Sequence, residues 1–142
     1  MKAATRLPLV RGAIAVIEHN GRYLVSRRPA SSHLGGHWEF PGGKRRGRES
    51  AIACVRREVQ EELGIDIRIG RRLAPLRFTY PNRRVELAVF RATILRGQPA
   101  PQASARLRWA SPAQLARLRF PPANRPLIAR LSTVSQRAII VK

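Results

Sequence analysis

Three of the eight acidic residues in this 142-residue chain fall within the nine-residue stretch "RREVQEELG", as Glu58, Glu61 and Glu62. Spacings of i, i+3 and i+4 bring such side chains onto one face of a helix, where like charges repel by roughly a few tenths of a kcal/mol per pair in water. With Glu58 at zero on a wheel of about 100° per residue, Val55, Val59, Ile52 and Leu63 fall at roughly 60° to 140°, and the carboxylates at roughly 0°, 40° and 300°. The expected helix therefore buries an apolar stripe and carries its acidic face beside that stripe, at the rim of a cleft. Hard oxygen donors grouped in this way suit Mg²⁺, with Mn²⁺ as an alternative, completed by water and substrate phosphates. A solvated acidic face neighboured by Arg56 and Arg57 is the plainer reading of the same residues.

Several elements must position that helix. The helix itself is expected from about Ser50 to Leu63, closed by Gly64, where a left-handed residue costs least. Before it, apolar runs at residues 12 to 18 and 22 to 28 flank Asn20-Gly21, the dipeptide that most favours a two-residue hairpin. The intervening "PASSHLGGHWEFPGGKRRGRE" is loop-rich around a short extended "HWEF". After the helix, "IDIRIGRRLAPLRFTY" and "RRVELAVFRATIL" read as strands joined by a turn near Pro81-Asn82, and "RLRWA" as one more. Ser111 and Pro112 open a short helix, and Asn124 is placed to cap a last one through "RPLIARL". The fold class is α/β, and residues 1 to 142 are expected to form one domain.

Composition bounds the function less tightly. The formal charge of +20 comes almost wholly from arginine, with 28 Lys and Arg against eight Asp and Glu. Such a field attracts polyanions, nucleotides and nucleic acid among them, without choosing between them. The single cysteine, Cys54, excludes an internal disulfide and reads as a buried, inert thiol. Arg6, Arg11 and Glu18 interrupt any signal-like apolar run, and no segment approaches membrane-spanning length, so a cytoplasmic location without a membrane partner is expected.

The residues around the acidic turn decide between the two readings of it. From Gly43 the chain gives five residues, Glu49, seven more, then Arg57, Glu58, Val59, Glu61, Glu62, Gly64 and Ile65. This resembles the Nudix box, Gly-x5-Glu-x7-Arg-Glu-U-x-Glu-Glu-x-Gly-U with U aliphatic, at every defined position. The resemblance implies an α/β/α sandwich with a mixed β-sheet, a loop-helix-loop motif holding a divalent metal, and hydrolysis of nucleoside diphosphates linked to another group. It further implies Glu58 as first choice for the catalytic base, with Glu49 a supporting ligand or alternative base and Arg57 an orienting partner. Glu61 and Glu62 become the metal ligands, together with Glu58, and the Gly42-Gly43 turn lets backbone approach the metal at Gly43.

Outside the box, "SRRPASSHLGGHWEFPGGK", "YPNR" and "FPPANRPLIARL" are similar to the MutT-type enzymes that clear oxidised guanine nucleotides such as 8-oxo-dGTP. That similarity implies a nucleotide substrate held by Arg28, Phe40, Tyr80, Asn82, Arg83 and Asn124, with Asn124 reading the base or, alternatively, only capping the last helix. Two departures stand out. Arg108 precedes Trp109 where a metal-reaching glutamate is usual, and Asn82 stands where an aspartate is common. His33 and His37 read as ordinary loop residues, and Trp38 and Trp109 as packing residues. A pyrophosphatase for a CTP-type pyrimidine triphosphate or a nucleotide sugar, and a basic nucleic-acid-binding module with a residual site, are the competing functions.

Overall fold

The structure, a computed structural model, describes residues 7–102 and 106–132. Alternation along β1 (Leu9–His19) sorts its side chains between two cores. Ala13, Ala15 and Ile17 face one, and Ile14 and Val16 the other. Next to β1 and parallel to it lies β6 (Arg83–Arg96), registered from Leu9 opposite Arg84 to Ile17 opposite Ala92. It alternates likewise, with Ala88, Phe90 and Ala92 in the first core and Val89 in the second. Strand β5 (Asp66–Tyr80) pairs antiparallel with β6 across the expected turn and forms the sheet edge, its register shifted three times by irregularities.

On the other side of β1 the sheet divides. Residues Gly12 to Ile14 pair with β4 (Gly42–Lys44), while the end of β1 turns through Asn20 and Gly21, at φ 52° and 74°, into β2 (Arg22–Arg27). Both residues have the positive φ that a type I′ turn requires. Strand β2 then pairs with β3 (Trp38–Glu39) and with β7 (Arg106–Ala110), completing a mixed sheet. Helix α1 (Ala51–Leu63) buries Cys54, Val55, Val59 and Leu63 in the first core. The second core is covered by α2 (Pro112–Arg117), a 3₁₀ turn at Pro122–Asn124, and α3 (residues 125–132), through Leu115, Leu127 and Leu131. The result is the α/β/α layering that the sequence resemblance implies.

Strand β4 carries the chain from the sheet to α1, and it lies on β1 without side chains between them. A Cβ at Gly42 would overlap the Ala13 carbonyl oxygen and come within 2.7 Å of the Ile14 Cα, and the residue sits at φ 150°. Gly42→Ala is expected to cost about 2 to 4 kcal/mol of stability by forcing β4 off β1. Thermal melting of the purified variant measures this, and an unchanged Tm contradicts the packing described.

Candidate active site

Helix α1 is fixed at both ends. Ser50 accepts the Ala53 N–H at its start, and Gly64, at φ 71°, donates its N–H to the Gln60 carbonyl at its end. A second closure was not foreseen from sequence. The proline-rich segment after β6 donates the Ala100 N–H to Leu63 O and the Gln102 N–H to Glu62 O. The last carbonyls of the acidic turn are thereby satisfied from outside the helix.

The wheel misplaced one residue of the apolar stripe and two carboxylates. Ile52, assigned to the buried stripe, is 41% exposed, and the buried arc instead runs from Cys54 past Glu58 and Glu62 to Leu63. Packing of α1 against β4 as well as β1 widens the buried arc toward the carboxylates, whereas Ile52 is exposed in the first turn of the helix although its wheel angle lies inside that arc. Glu58 and Glu62 consequently lie within that arc, and only Glu61 remains at its open edge, 46% exposed.

Arg57 ties the cluster together with all five of its N–H donors. Nε and Nη2 donate to the two oxygens of Glu49 at 2.6 and 2.8 Å, Nη1 donates to Glu58 and Glu61 at 3.0 and 3.2 Å, and Nη2 also donates to Lys44 O at 3.0 Å. Such a planar fork matches carboxylates in a way that an ammonium group does not. Its hydrogen bonds hold the Glu49 carboxyl down at about 2, and those to Glu49 and Glu58 push the Arg57 guanidinium up. The Glu58 carboxylate lies against the Cα of Gly43, where any side chain would displace it.

Glu62 is different. It is the one acidic side chain among the described residues without an arginine partner, and it accepts only the Gly42 N–H, at 3.1 Å. Burial raises its carboxyl to about 8 despite that bond, with Glu39 and Glu58 adding to the effect.

These groups open onto a cleft of ≈ 690 Å³. Of the residues singled out in the sequence, Arg28, Phe40, Gly43, Glu58, Glu62, Tyr80, Arg83 and Asn124 line it. Glu49, Arg57 and Glu61 stand behind, joined to it through the Arg57 hydrogen bonds. Asn82 is not brought in: it is exposed at the tip of the β5–β6 turn. Arg108 is likewise exposed, opposite Val25 on β7, and outside the cleft lining. His33 and His37 serve the loop between β2 and β3, the His33 carbonyl accepting Arg28 Nε and the His37 Nδ1 lying 3.0 Å from Leu34 O. The sequence reading missed Leu34, Glu39, Lys44, Arg45 and Arg46 in the lining. Glu39 receives Arg28 at 2.9 Å, a contact made across β2 and β3 that no local pattern reveals.

The donor chemistry fits a hard divalent cation: carboxylates of Glu58, Glu61 and Glu62 beside the glycine backbone at 42 and 43, with Glu62 too buried to ionise readily without a neighbouring positive charge. Among the described residues no three acidic, histidine or cysteine side chains converge on a single coordination point. Arg57 Nη1 engages one oxygen each of Glu58 and Glu61, so the second oxygen of each carboxylate stays free of Arg57 and open to a cation.

Comparison with known proteins agrees with this geometry. The family profile described as NUDIX domain matches residues 12–130. The chain belongs to the Nudix family. As a Nudix hydrolase it is 33% identical over 120 residues to the 8-oxo-dGTP diphosphatase of Escherichia coli (strain K12), covering 84% of this chain and 93% of the relative. It is also 31% identical over 122 residues to the CTP pyrophosphohydrolase of the same organism, covering 86% and 90%. Among solved structures, that of the MutT protein from Methanosarcina mazei Go1 superposes with a TM-score of 0.80 at 25% identity, covering 92% of this chain and 97% of the other. Among the described residues no helix is long and apolar enough to cross a membrane.

The raised carboxyl of Glu62 gives a pH signature. Folded chains keep a proton on Glu62 that unfolded chains release above 4.5, so its contribution to stability falls as pH rises from about 4.5 to about 8. In metal-free protein the denaturation midpoint is expected to decline over that window, and Glu62→Gln to flatten the decline. Equal slopes for parent and variant in EDTA refute the assignment.

Proposed function

We propose that the protein hydrolyses nucleoside triphosphates to the monophosphate and pyrophosphate in the presence of Mg²⁺ or Mn²⁺, with 8-oxo-dGTP as preferred substrate in the cytoplasmic nucleotide pool. The observation that carries the choice of base is Asn124. The residue is 7% exposed and lines the cleft, and its side chain has no hydrogen-bond partner among the described residues. A cap for α3 would accept the Leu127 N–H, and it does not. Burial of an unpaired carboxamide costs about 1 to 3 kcal/mol, so its retention in the cleft favours a ligand that pairs with it. Oxidised guanine presents an N7–H donor beside the O6 acceptor, where guanine presents two acceptors. One carboxamide pairs with both atoms of the former and only one of the latter.

A bound divalent cation supplies charge screening for the phosphates and a water of lowered pKa. Glu61 and Glu62, with the backbone at Gly43, would hold that cation, and Glu58 would join them or accept the proton of the attacking water. Glu49 is the poorer base: both its oxygens are engaged by Arg57, and its carboxyl is held near 2. Its part is to lock the guanidinium that orients Glu58. Arg28, Lys44 and Arg83 bring positive charge to the phosphates, while Phe40 and Tyr80 form apolar walls for the nucleoside. Asn82 and Arg108, which lie outside the lining, are left without a role.

Two experiments test this. Glu58→Gln is expected to lower kcat by two to four orders of magnitude, roughly, with the fold intact. A folded variant with near-normal turnover removes Glu58 from the chemistry. For the base, Asn124→Asp and Asn124→Ala are compared by kcat/KM for 8-oxo-dGTP, dGTP and CTP. Loss of about tenfold or more of the preference for 8-oxo-dGTP in the Asp variant is expected. Unchanged preference, or CTP as the best substrate of the parent, contradicts the assignment.

A further inference from the structure

Leu34 has a backbone that leucine rarely adopts. Its φ is 56°, in the left-handed region where a Cβ crowds the following carbonyl. Among the described non-glycine residues only Asn20 shares a positive φ, and Asn20 is a residue type that tolerates it in a hairpin turn. Two glycines follow Leu34 directly, yet the strained position itself carries a branched apolar side chain.

The loop leaves Leu34 no freedom to relax. Arg28 N donates to His37 O at 2.9 Å and Gly36 N to Arg28 O at 3.1 Å, closing the loop at its neck. Inside, Gly35 N donates to Ser32 O and His37 N to Leu34 O, while the Arg27 and Arg28 Nε groups donate to Gly36 O and His33 O. A Cβ at Gly35 would overlap the Ala30 carbonyl, so the winding is tight on both sides of the peptide.

Core packing does not offset the strain. Leu34 joins neither apolar cluster, even among the partly buried residues packed against them. It is half-buried at the wall of the catalytic cleft, with Arg28, Glu39 and Phe40. Strain retained at a cleft wall without return from the core points to a ligand contact.

We propose that Leu34 is a specificity-determining residue: the β2–β3 loop holds it in the left-handed conformation to press its side chain against the nucleoside part of the substrate. An apolar side chain has nothing to offer phosphate, and the cations and carboxylates of the cleft already account for that end. The proposal rests on the nucleotide reading above and adds a contact to it.

The test compares Leu34→Asn and Leu34→Met with the parent, in Mg²⁺, by calorimetric binding of 8-oxo-dGMP and of inorganic tripolyphosphate, and by thermal melting. Asparagine accepts the left-handed backbone and lacks the apolar contact. Its variant is expected to keep or raise Tm, to bind 8-oxo-dGMP about tenfold more weakly, and to bind tripolyphosphate as the parent does. Methionine keeps the apolar contact and is expected to keep the affinity. Undiminished 8-oxo-dGMP binding by the Asn variant overturns the proposal, as does a large fall in Tm, which makes Leu34 a packing residue. Equal weakening of both ligands also overturns it. Failure is distinguishable from failure of the nucleotide reading: in that case the parent itself binds tripolyphosphate and not 8-oxo-dGMP.

Discussion

The Arg57 guanidinium is the contact on which the site depends. Glu49, from the loop, and Glu58 and Glu61, from the helix, would repel one another in its absence, and the carbonyl of Lys44 would lose its donor. One planar group thus binds β4, the loop after it and α1 into a single unit. The arrangement is particular to arginine, because three carboxylates and a carbonyl approach from directions that match its fork and exceed the three donors of an ammonium.

Everything below that contact serves to keep it in place. Small residues at 12, 42 and 43 let β4 lie directly on β1, and the sheet then presents the Gly42 N–H to Glu62. The parallel pairing of β1 with β6 and the antiparallel pairing of β6 with β5 determine where Tyr80 and Arg83 meet the cleft. Charge works in the same direction. Among the described residues every acidic side chain but Glu62 has an arginine within 4 Å, so the many arginines leave one carboxyl without a cationic partner. That surplus of positive charge also favours entry of a polyanionic substrate.

What sequence revealed of this was mainly local. The capping serine at 50, the glycine at 64 and the Asn-Gly turn are short-range chemistry, and all three hold in the structure. The box spacing located the carboxylates because a helix converts spacing into a shared face. Sequence could not say which side of the helix would be covered, since that depends on β4 returning over it. Glu62 therefore lies further inside than the wheel suggests, while Ile52, on the covered side but in the first turn, is exposed because a wheel ignores position along the helix. The Arg28–Glu39 pair and the closure of α1 by Ala100 and Gln102 join segments through tertiary contacts that no periodicity encodes. Asn124 was ambiguous for the opposite reason: an asparagine before a helix has one local meaning, and only its buried, unpaired state in the cleft supplies another.

The central claim is that Arg57 holds Glu49, Glu58 and Glu61 in position for a cation and keeps its hydrogen bonds to all three when that cation binds. A Mg²⁺ titration followed by NMR of the Arg57 side-chain N–H groups tests it most directly. The account predicts that the Nε–H signal, donated to Glu49, and the Nη1 protons, donated to Glu58 and Glu61, keep their protection from exchange to saturation. Loss of either on saturation by Mg²⁺ would contradict it.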